Sequence, residues 1–542
     1  MLWSQTYDPL GSAGFSTLLA AAPLLVLLSG LAFFHLRAPV AALLGLVAAL
    51  LVAVAGFGMP AGLALRAAGF GAAYGLLPIG WIVLNIIFLY QLTEERGQFA
   101  VLRDSIAGIT ADSRLQLLLV AFCFGAFFEG AAGFGTPVAV TGAMLIGLGF
   151  SRLQAAGLSL IANTAPVAFG ALGTPLVTLS GVTDLPLHDL SATVGRMMTP
   201  FSLLVPFWLL VAYCGWRRTL EVWPAVLVAG LSFSLTQLLI SNLHGPWLTA
   251  IGAALVSMLG LVGFLKVWRP RSLMRQTDSA PQVAVPLAPS ALRKAWLPWL
   301  ILMVVVFIWG LPVVKSVLDG LFKLVLPVPG LDRMIQRLPP VVAGPEIERA
   351  LFTLNLLSAT GTAILLSGVL AGLLLGARPR GILATYWRAC LATRASLLTI
   401  AAMLALGYLT RYAGVDATLG LAFAATGVMY PFFGTLLGWL GVAVTGSDTA
   451  SNVLFGGLQK VTSQQLGLSP TLMAAANSAG GVMGKMVDAQ SIVVASTATR
   501  WFGEEGRILR YVFVHSIALA GLVGLVVLLM AYVPPFTWLV PG

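Results

Sequence analysis

Stretches of about 20 uninterrupted apolar residues recur along the whole chain, each long enough for a helix to cross a hydrocarbon core. They run near 17–34, 38–58, 68–92, 197–215, 222–240, 246–265, 296–312, 350–375, 386–409, 418–440 and 508–533. Inside a bilayer every backbone polar group must be bonded internally, so this pattern folds as packed helices. Hydrophobic residues make up 59% of the 542 and charged residues 9%, against roughly 25% charged in soluble domains. A soluble enzyme, a nucleic-acid binder and a secreted disulfide scaffold are thereby excluded. Three cysteines (Cys123, Cys214, Cys390) lie scattered in apolar stretches and the four histidines are isolated. Neither set has the spacing of a disulfide framework or a metal site. The chain reads as an all-α polytopic membrane protein.

Two further regions, 115–181 and 434–499, are apolar but broken every few residues by Gly, Pro, Asn, Ser or Thr. Their length allows about three or four passes each, or re-entrant hairpins plus full passes, for a total of about 12–14 transmembrane segments. The two regions resemble each other. Ala162-Asn163-Thr164-Ala165 and Gly170 recur as Ala476-Asn477-Ser478-Ala479 and Gly484, and 477 − 163 and 484 − 170 both give 314. Residues 1–265 and 295–542 are therefore expected to form two related, inverted halves. Broken or re-entrant helices are expected near 125–145, 162–176, 443–460 and 476–490. Transporters built from inverted repeats bind substrate between such interrupted helices.

Segment 266–294 joins the halves. It holds Lys266, Arg269, Arg271, Arg275, Arg293 and Lys294 against one acid, Asp278, which places it on the cytoplasmic side. The excess of 30 basic over 19 acidic residues then reads as basic loops beside anionic lipid. Loop 93–114, with Arg96, Arg103 and Arg114, joins that side if the N-terminus lies outside. The opening MLWSQTYDPLGSAGF lacks the basic start and cleavage pattern of a signal peptide, so it is expected to remain on the protein.

Carboxylates inside membranes are costly and mark function. Glu129 (FFEGAAGFGTP), Asp448 (VTGSDTASN) and Asp488 (GKMVDAQS) fall in the interrupted regions, with Lys485 the one base near them. Glu129 follows Phe122, Phe124, Phe127 and Phe128 and precedes Gly130, Gly133 and Gly135; it is a proton carrier or a structural acid capping a half-helix. Asp448 sits between Ser447 and Thr449 as a proton or cation site, or as a plain helix cap. Lys485 either balances a substrate carboxylate or pairs with Asp488 three residues on. Asn163 and Asn477 suit hairpin tips, or serve as packing amides. Arg411 is expected to snorkel to the interface, and His515 to be a buried structural histidine. No phosphate-binding loop and no catalytic constellation is present, which favours transport over enzymology.

Long motifs carry a family resemblance. EGAAGFGTPVAVTGAMLIGLGF, IANTAPVAFGALGTP, GWLGVAVTGSDTASNVLFGGLQ and AANSAGGVMGKMVDAQSI closely resemble the bacterial L-lactate permease family, which includes glycolate permease. The likeness extends from LWSQTYDP through RLPPVVAG and SATGTAIL to Val514-His515-Ser516. It implies a secondary transporter, not an enzyme, that takes up L-lactate, glycolate, D-lactate and related short 2-hydroxy-monocarboxylates by proton symport across the cytoplasmic (inner) membrane. It also implies distant kinship with the ion-transporter superfamily. Carried onto this sequence, the pattern supports Glu129, Asn163, Thr164, Ser447, Asp448, Thr449, Asn477, Lys485 and Gln490. Substrate is then expected on Asn163, Thr164, Ser447, Thr449, Asn477, Ser478, Lys485 and Gln490, and the proton on Asp448, Glu129 or Asp488.

No cofactor is expected beyond the co-transported proton, with sodium as the alternative. The expected partners are the small monocarboxylate and the lipid bilayer, with no nucleic acid; a homo-oligomer is left open. This sequence departs from the family pattern at Thr136 (usually Ala), at Asp488-Ala489 (usually Ser-Pro) and at Arg411 (usually neutral). An extra hydroxyl and an extra acid near the expected site bear on substrate range and coupling. The rival readings are a sodium-coupled monocarboxylate carrier, with Asp448, Ser447 and Thr449 as ligands, and a membrane-embedded carboxylate sensor or enzyme.

Overall fold

The computed structural model describes residues 2–541 except 33, 35, 108, 132, 134–135, 276–287, 343 and 502–503. Asp278 and most of the linker's centre, Gly135, and the side chains of Thr136 and Ala489 lie outside the described residues. Among these, 11 helices are long and apolar enough to span a bilayer, or 12 if the bent pair Arg152–Ala162 and Val167–Thr183 counts as one. The protein is an all-helical, multi-pass membrane protein with broken helices. The 350–375 segment departs from expectation. Leu351–Leu354 is a strand paired antiparallel with Leu324–Pro327, and only Thr360–Leu374 is helical. That helix is about 22 Å long, short of a 30 Å core.

Most spans are coated with exposed apolar side chains. Leu231, Leu235, Leu239 and Leu243 line one face of Trp223–Leu243, as a lipid-facing helix requires. Ser113–Ala131 differs: 94% of its apolar window is buried, against 28–50% in the other spans. Its aromatics explain why. Phe124 packs edge-on against Phe128 at 4.7 Å, and Phe127 against Trp299 at 5.0 Å, so protein rather than lipid surrounds this span. Close helix packing elsewhere needs small residues. A side chain at Gly438 would strike the Asn477 backbone, and one at Gly480 the Thr435 carbonyl.

Among the described residues of the two interrupted regions, helices break at four places, each for a local reason. The first hairpin stops at Ala131 and restarts at Thr136, with Gly133 at φ +58°. The first broken span stops at Ala162. It then passes Ala171, Leu172 and Gly173, all left-handed, and becomes helical again from Thr174, with Pro175 next. The second hairpin stops at Thr445, turns at Gly446 (φ +73°), and restarts at Asp448 with Ser447 as N-cap. The second broken span stops at Gly484 and restarts at Ala489 with Asp488 as N-cap. Helix ends Ala131 and Thr445 are 314 residues apart (445 − 131), and the restart positions Thr174 and Ala489 are 315 apart (489 − 174). These two boundaries keep the sequence offset to within one residue, whereas the hairpin restarts Thr136 and Asp448 are 312 apart (448 − 136) and the span ends Ala162 and Gly484 are 322 apart (484 − 162).

Loops gather on faces. Loop 93–114 meets the start of the basic linker, where Ser113 N–H donates to the Met274 carbonyl at 2.8 Å and Arg114 Nη2 to the Ser272 carbonyl at 2.7 Å. The N-terminal residues instead meet another loop set. Trp3–Ser4 pairs in parallel with Ile335–Gln336, and Gln5 Nε2 donates to the Tyr412 carbonyl at 2.8 Å.

Candidate functional site

All four breaks converge. A side chain at Gly133 would touch Ala171 Cβ at 3.3 Å, and one at Gly446 would reach Asp488 Oδ1 at 3.0 Å. Asn452 Nδ2, in the helix that restarts at Asp448, donates to the Pro175 carbonyl at 3.2 Å, joining the two halves. Between the breaks lies a cavity of about 180 Å³, smaller than the roughly 300–1,000 Å³ of pockets for drug-sized ligands. Glu129, Thr174, Ser447, Asp448, Thr449, Lys485, Gln490 and Ser491 supply its polar wall; Leu27, Ala42, Ile400, Met403 and Leu404 supply an apolar one. The long helix Pro379–Ala413 carries most of that apolar wall together with Ser396 and Thr399.

Each acid is positioned by the helix behind it. Asn163 Nδ2 donates to Glu129 Oε2 at 3.1 Å, and Ser478 Oγ donates to Asp448 Oδ2 at 2.5 Å. Both donors belong to the repeated Asn-Thr/Ser dipeptide, but the first half uses its Asn and the second its Ser. Asp448 Oδ1 is buried without a hydrogen-bond partner. Asp488 Oδ1 accepts from the Ser491 N–H at 2.7 Å, capping its helix. Lys485 Nζ donates to the Gly446 carbonyl at 2.6 Å and stands 3.4 Å from Asp488 Oδ2, an oxygen that makes no hydrogen bond of good geometry. Lys485 therefore clasps the tip of the second hairpin to the break of the second broken span. One ammonium and three carboxyls share a buried cluster, a composition that is costly unless charges are paired.

The expected residues separate into two groups. Glu129, Ser447, Asp448, Thr449, Lys485 and Gln490 line the cavity, and Asp488 touches its rim through Lys485 and Gly446. Asn163 and Ser478 stand behind it, bonded to the acids. Thr164 is turned away, its hydroxyl donating to the Ile161 carbonyl at 2.9 Å. Asn477 sits in an amide network, donating to Asn452 Oδ1 at 2.9 Å and accepting from Gln459 at 3.3 Å. Asp488 and Lys485 were legible as an i,i+3 pair. Thr174, Ser396, Thr399 and Ser491 were not singled out by the sequence; only Ser491 carried a signal, three residues after a capping acid.

Arg411 does not snorkel. Its side chain is 18% exposed and pairs with Glu348 at 2.6 Å and with Asp184. With Arg337, Asp416 and Lys460, Arg411 and Glu348 surround a second, smaller cavity, apart from the four breaks. Lys460 Nζ there donates to the Thr183 carbonyl at 2.6 Å. His515 Nδ1 accepts from Trp208 Nε1 at 3.1 Å, a packing bond between two spans.

Comparison with known proteins gives a full-length match. A family model described as L-lactate permease matches residues 16–534. Glycolate permease GlcA of Escherichia coli (strain K12) is 44% identical over 550 residues, covering 98% of each chain. L-lactate permease of Salmonella typhi is 43% identical over 551 residues, covering 100% of both. Among solved structures, the Alcanivorax borkumensis YdaH transporter aligns with 85% of this chain and 86% of its own at a TM-score of 0.44 and 15% identity, too distant to bear on the site.

Proposed function

The chain belongs to the L-lactate permease family, a family of transporters rather than enzymes, and from that premise we propose that it imports L-lactate, glycolate and related short 2-hydroxy-monocarboxylates by proton symport. One observation carries the reading: a small cavity among four helix breaks is lined by two carboxyls, Glu129 and Asp448, and one ammonium, Lys485, with a third carboxyl, Asp488, paired to that ammonium at the rim. The helices restarting at Thr174, Asp448 and Ala489 present N-termini near it, and N-termini favour a carboxylate. Substrate carboxylate sits on Thr449 and the start of the Asp448–Gln465 helix, with Ser447, Gln490 and Lys485 around it. Asn163 and Ser478 act from behind, as positioning residues for the two acids.

Charge counting supplies the coupling. Were all three carboxyls ionised, the cluster with its one ammonium would be negative, and an incoming monocarboxylate would add a further negative charge. Entry therefore requires a cation to travel with it. Asp448 is the carrier we assign, because its Oδ1 is buried without a partner and a proton there makes the group neutral. Glu129 is the second acid of the cluster, and Asp488 serves to cap its helix and compensate Lys485. Loop 93–114 and the start of the basic linker, at Ser272 and Met274, share one face, which we assign to the cytoplasm, with the N-terminal residues outside.

The test is uptake of labelled L-lactate into proteoliposomes under an inward pH gradient without sodium. Accumulation that collapses with a protonophore is expected. Accumulation only after sodium is added would make Asp448, Ser447 and Thr449 a cation site instead.

A further inference from the structure

Most polar groups on the cavity wall are already engaged. Ser447 Oγ accepts from the Ala450 N–H at 3.2 Å, Thr174 Oγ1 donates to the Ala171 carbonyl at 2.6 Å and Thr399 Oγ1 to the Ala395 carbonyl at 2.9 Å. Lys485 is held by Gly446 and Asp488. Among the described wall residues, two buried polar atoms have no hydrogen-bond partner: Asp448 Oδ1 and Ser491 Oγ. The first is accounted for by the proton proposed above. The second is not. A buried hydroxyl without a partner is destabilising, and native structures leave few, so such a group calls for an explanation.

We infer that Ser491 is the residue that recognises the 2-hydroxyl group of the substrate, an inference that rests on the monocarboxylate reading and deepens it. Ser491 is buried, with 2% of its surface exposed, and lines the cavity from the first turn of the Ala489–Ala498 helix. Its own N–H is spent on the Asp488 carboxylate. With that N–H spent, Ser491 offers a substrate its neutral hydroxyl alone, which suits the substrate's uncharged end. A hydroxyl suits it, because two hydroxyls can donate and accept reciprocally. A site built to bond a substrate hydroxyl rejects the analogue that lacks it, because the protein group is then left unpaired. A 2-oxo acid offers an acceptor only, which Ser491 can still satisfy by donating. The expected order is therefore L-lactate, then pyruvate, with propionate weakest.

The experiment uses the full-length protein in proteoliposomes, with unlabelled L-lactate, pyruvate and propionate competing against labelled L-lactate. The unaltered protein should require roughly 10-fold more propionate than L-lactate for half-inhibition. In Ser491→Ala that ratio should fall to about 2 through weaker L-lactate inhibition, with propionate nearly unchanged, and Ser491→Thr should restore it. If Ser491→Ala fails to insert, Ser491→Cys keeps the size and weakens the donor, and should give an intermediate ratio. A ratio that stays at its original value in Ser491→Ala or Ser491→Cys overturns the inference while leaving the transport reading intact. An unaltered protein that moves L-lactate but does not discriminate against propionate does the same. No L-lactate uptake under any ion gradient overturns the transport reading itself, and this inference with it.

Discussion

Ser478 Oγ and Asp448 Oδ2 meet at 2.5 Å, tying the start of one hairpin helix to the middle of the helix behind it. Asn163 and Glu129 meet at 3.1 Å in the other half. The two halves thus use neighbouring members of the same repeated dipeptide to hold one acid each. Both acids then stand at helix breaks, where backbone groups are not consumed by the helix and a small change of charge can be felt by several elements at once.

Asp448→Asn removes the titratable oxygen but keeps an acceptor for Ser478. It should abolish accumulation of L-lactate against a gradient while preserving part of the exchange between internal and external substrate. Proteoliposome uptake and counterflow separate the two, and a variant that concentrates substrate like the unaltered protein would remove Asp448 from the coupling role.

Gly170→Ala tests the crowding around Glu129. The added Cβ would lie 2.6 Å from Glu129 Oε1, although φ of −63° at Gly170 suits any residue. The effect is therefore steric. Uptake should drop by roughly 10-fold or more with normal membrane insertion, since the added Cβ fits only if the Glu129 carboxyl moves from its place on the cavity wall. Gly62→Ala, where a Cβ meets nothing within 4 Å, should leave uptake unchanged.

Glu348→Gln should cost more stability than Asp184→Asn. Both acids pair with Arg411, but the Glu348 side chain is 10% exposed and that of Asp184 60%. Breaking a buried pair costs about 3–5 kcal/mol, whereas solvent screens an exposed one to ~1 kcal/mol or less. Melting temperatures of the two variants in detergent should fall in that order, and equal shifts would show that Arg411 gains nothing from the burial of Glu348.

Asp332, in the loop that precedes Ile335–Arg337, gives a pH-dependent signal outside the membrane spans. The Ala350 N–H, 2.8 Å from Oδ1, and the Arg349 guanidinium at 3.1 Å hold its carboxyl below the usual range, overcoming partial burial. A lowered folded-state pKa stabilises the loop above the ordinary aspartate value of about 4 and loses that contribution as pH falls through the lowered one. Protection of the Ala350 amide, taken as its exchange rate relative to an unprotected amide at the same pH, should fall on acidification below about pH 4, and Asp332→Asn should remove most of that dependence.

The apolar runs made most of the fold legible, because a bilayer leaves a chain few alternatives to helices. The breaks were legible too: glycine, proline and N-cap residues cluster at 131–136, 163–175, 445–448 and 484–489, and each residue type interrupts a helix for its own reason. What the sequence concealed was direction. Thr164 and Ser478 occupy equivalent positions, yet one hydroxyl turns to its own helix and the other to an acid, and no local pattern distinguishes them. Arg411 was misread because its partners, Asp184 and Glu348, are 227 and 63 residues away. The strand at Leu351–Leu354 was hidden because an apolar run reads alike as a strand or a helical turn.

Ala171 and Leu172 hold φ of 42° and 53° beside Gly173, a left-handed run in which only glycine is at ease. Each side chain raises the energy of the folded chain by about 1–2 kcal/mol, and the second half makes its corresponding turn with right-handed backbone at Lys485. A glycine at 171 or 172 would relax the backbone, and by that criterion alone would be an improvement. It would also loosen the restart at Thr174, whose carboxyl-side neighbour Pro175 anchors Asn452 of the other half. Selection for robustness and selection for turnover should therefore pull these two positions in opposite directions, so a library screened only for thermostability is expected to enrich the glycines and lose the transporter.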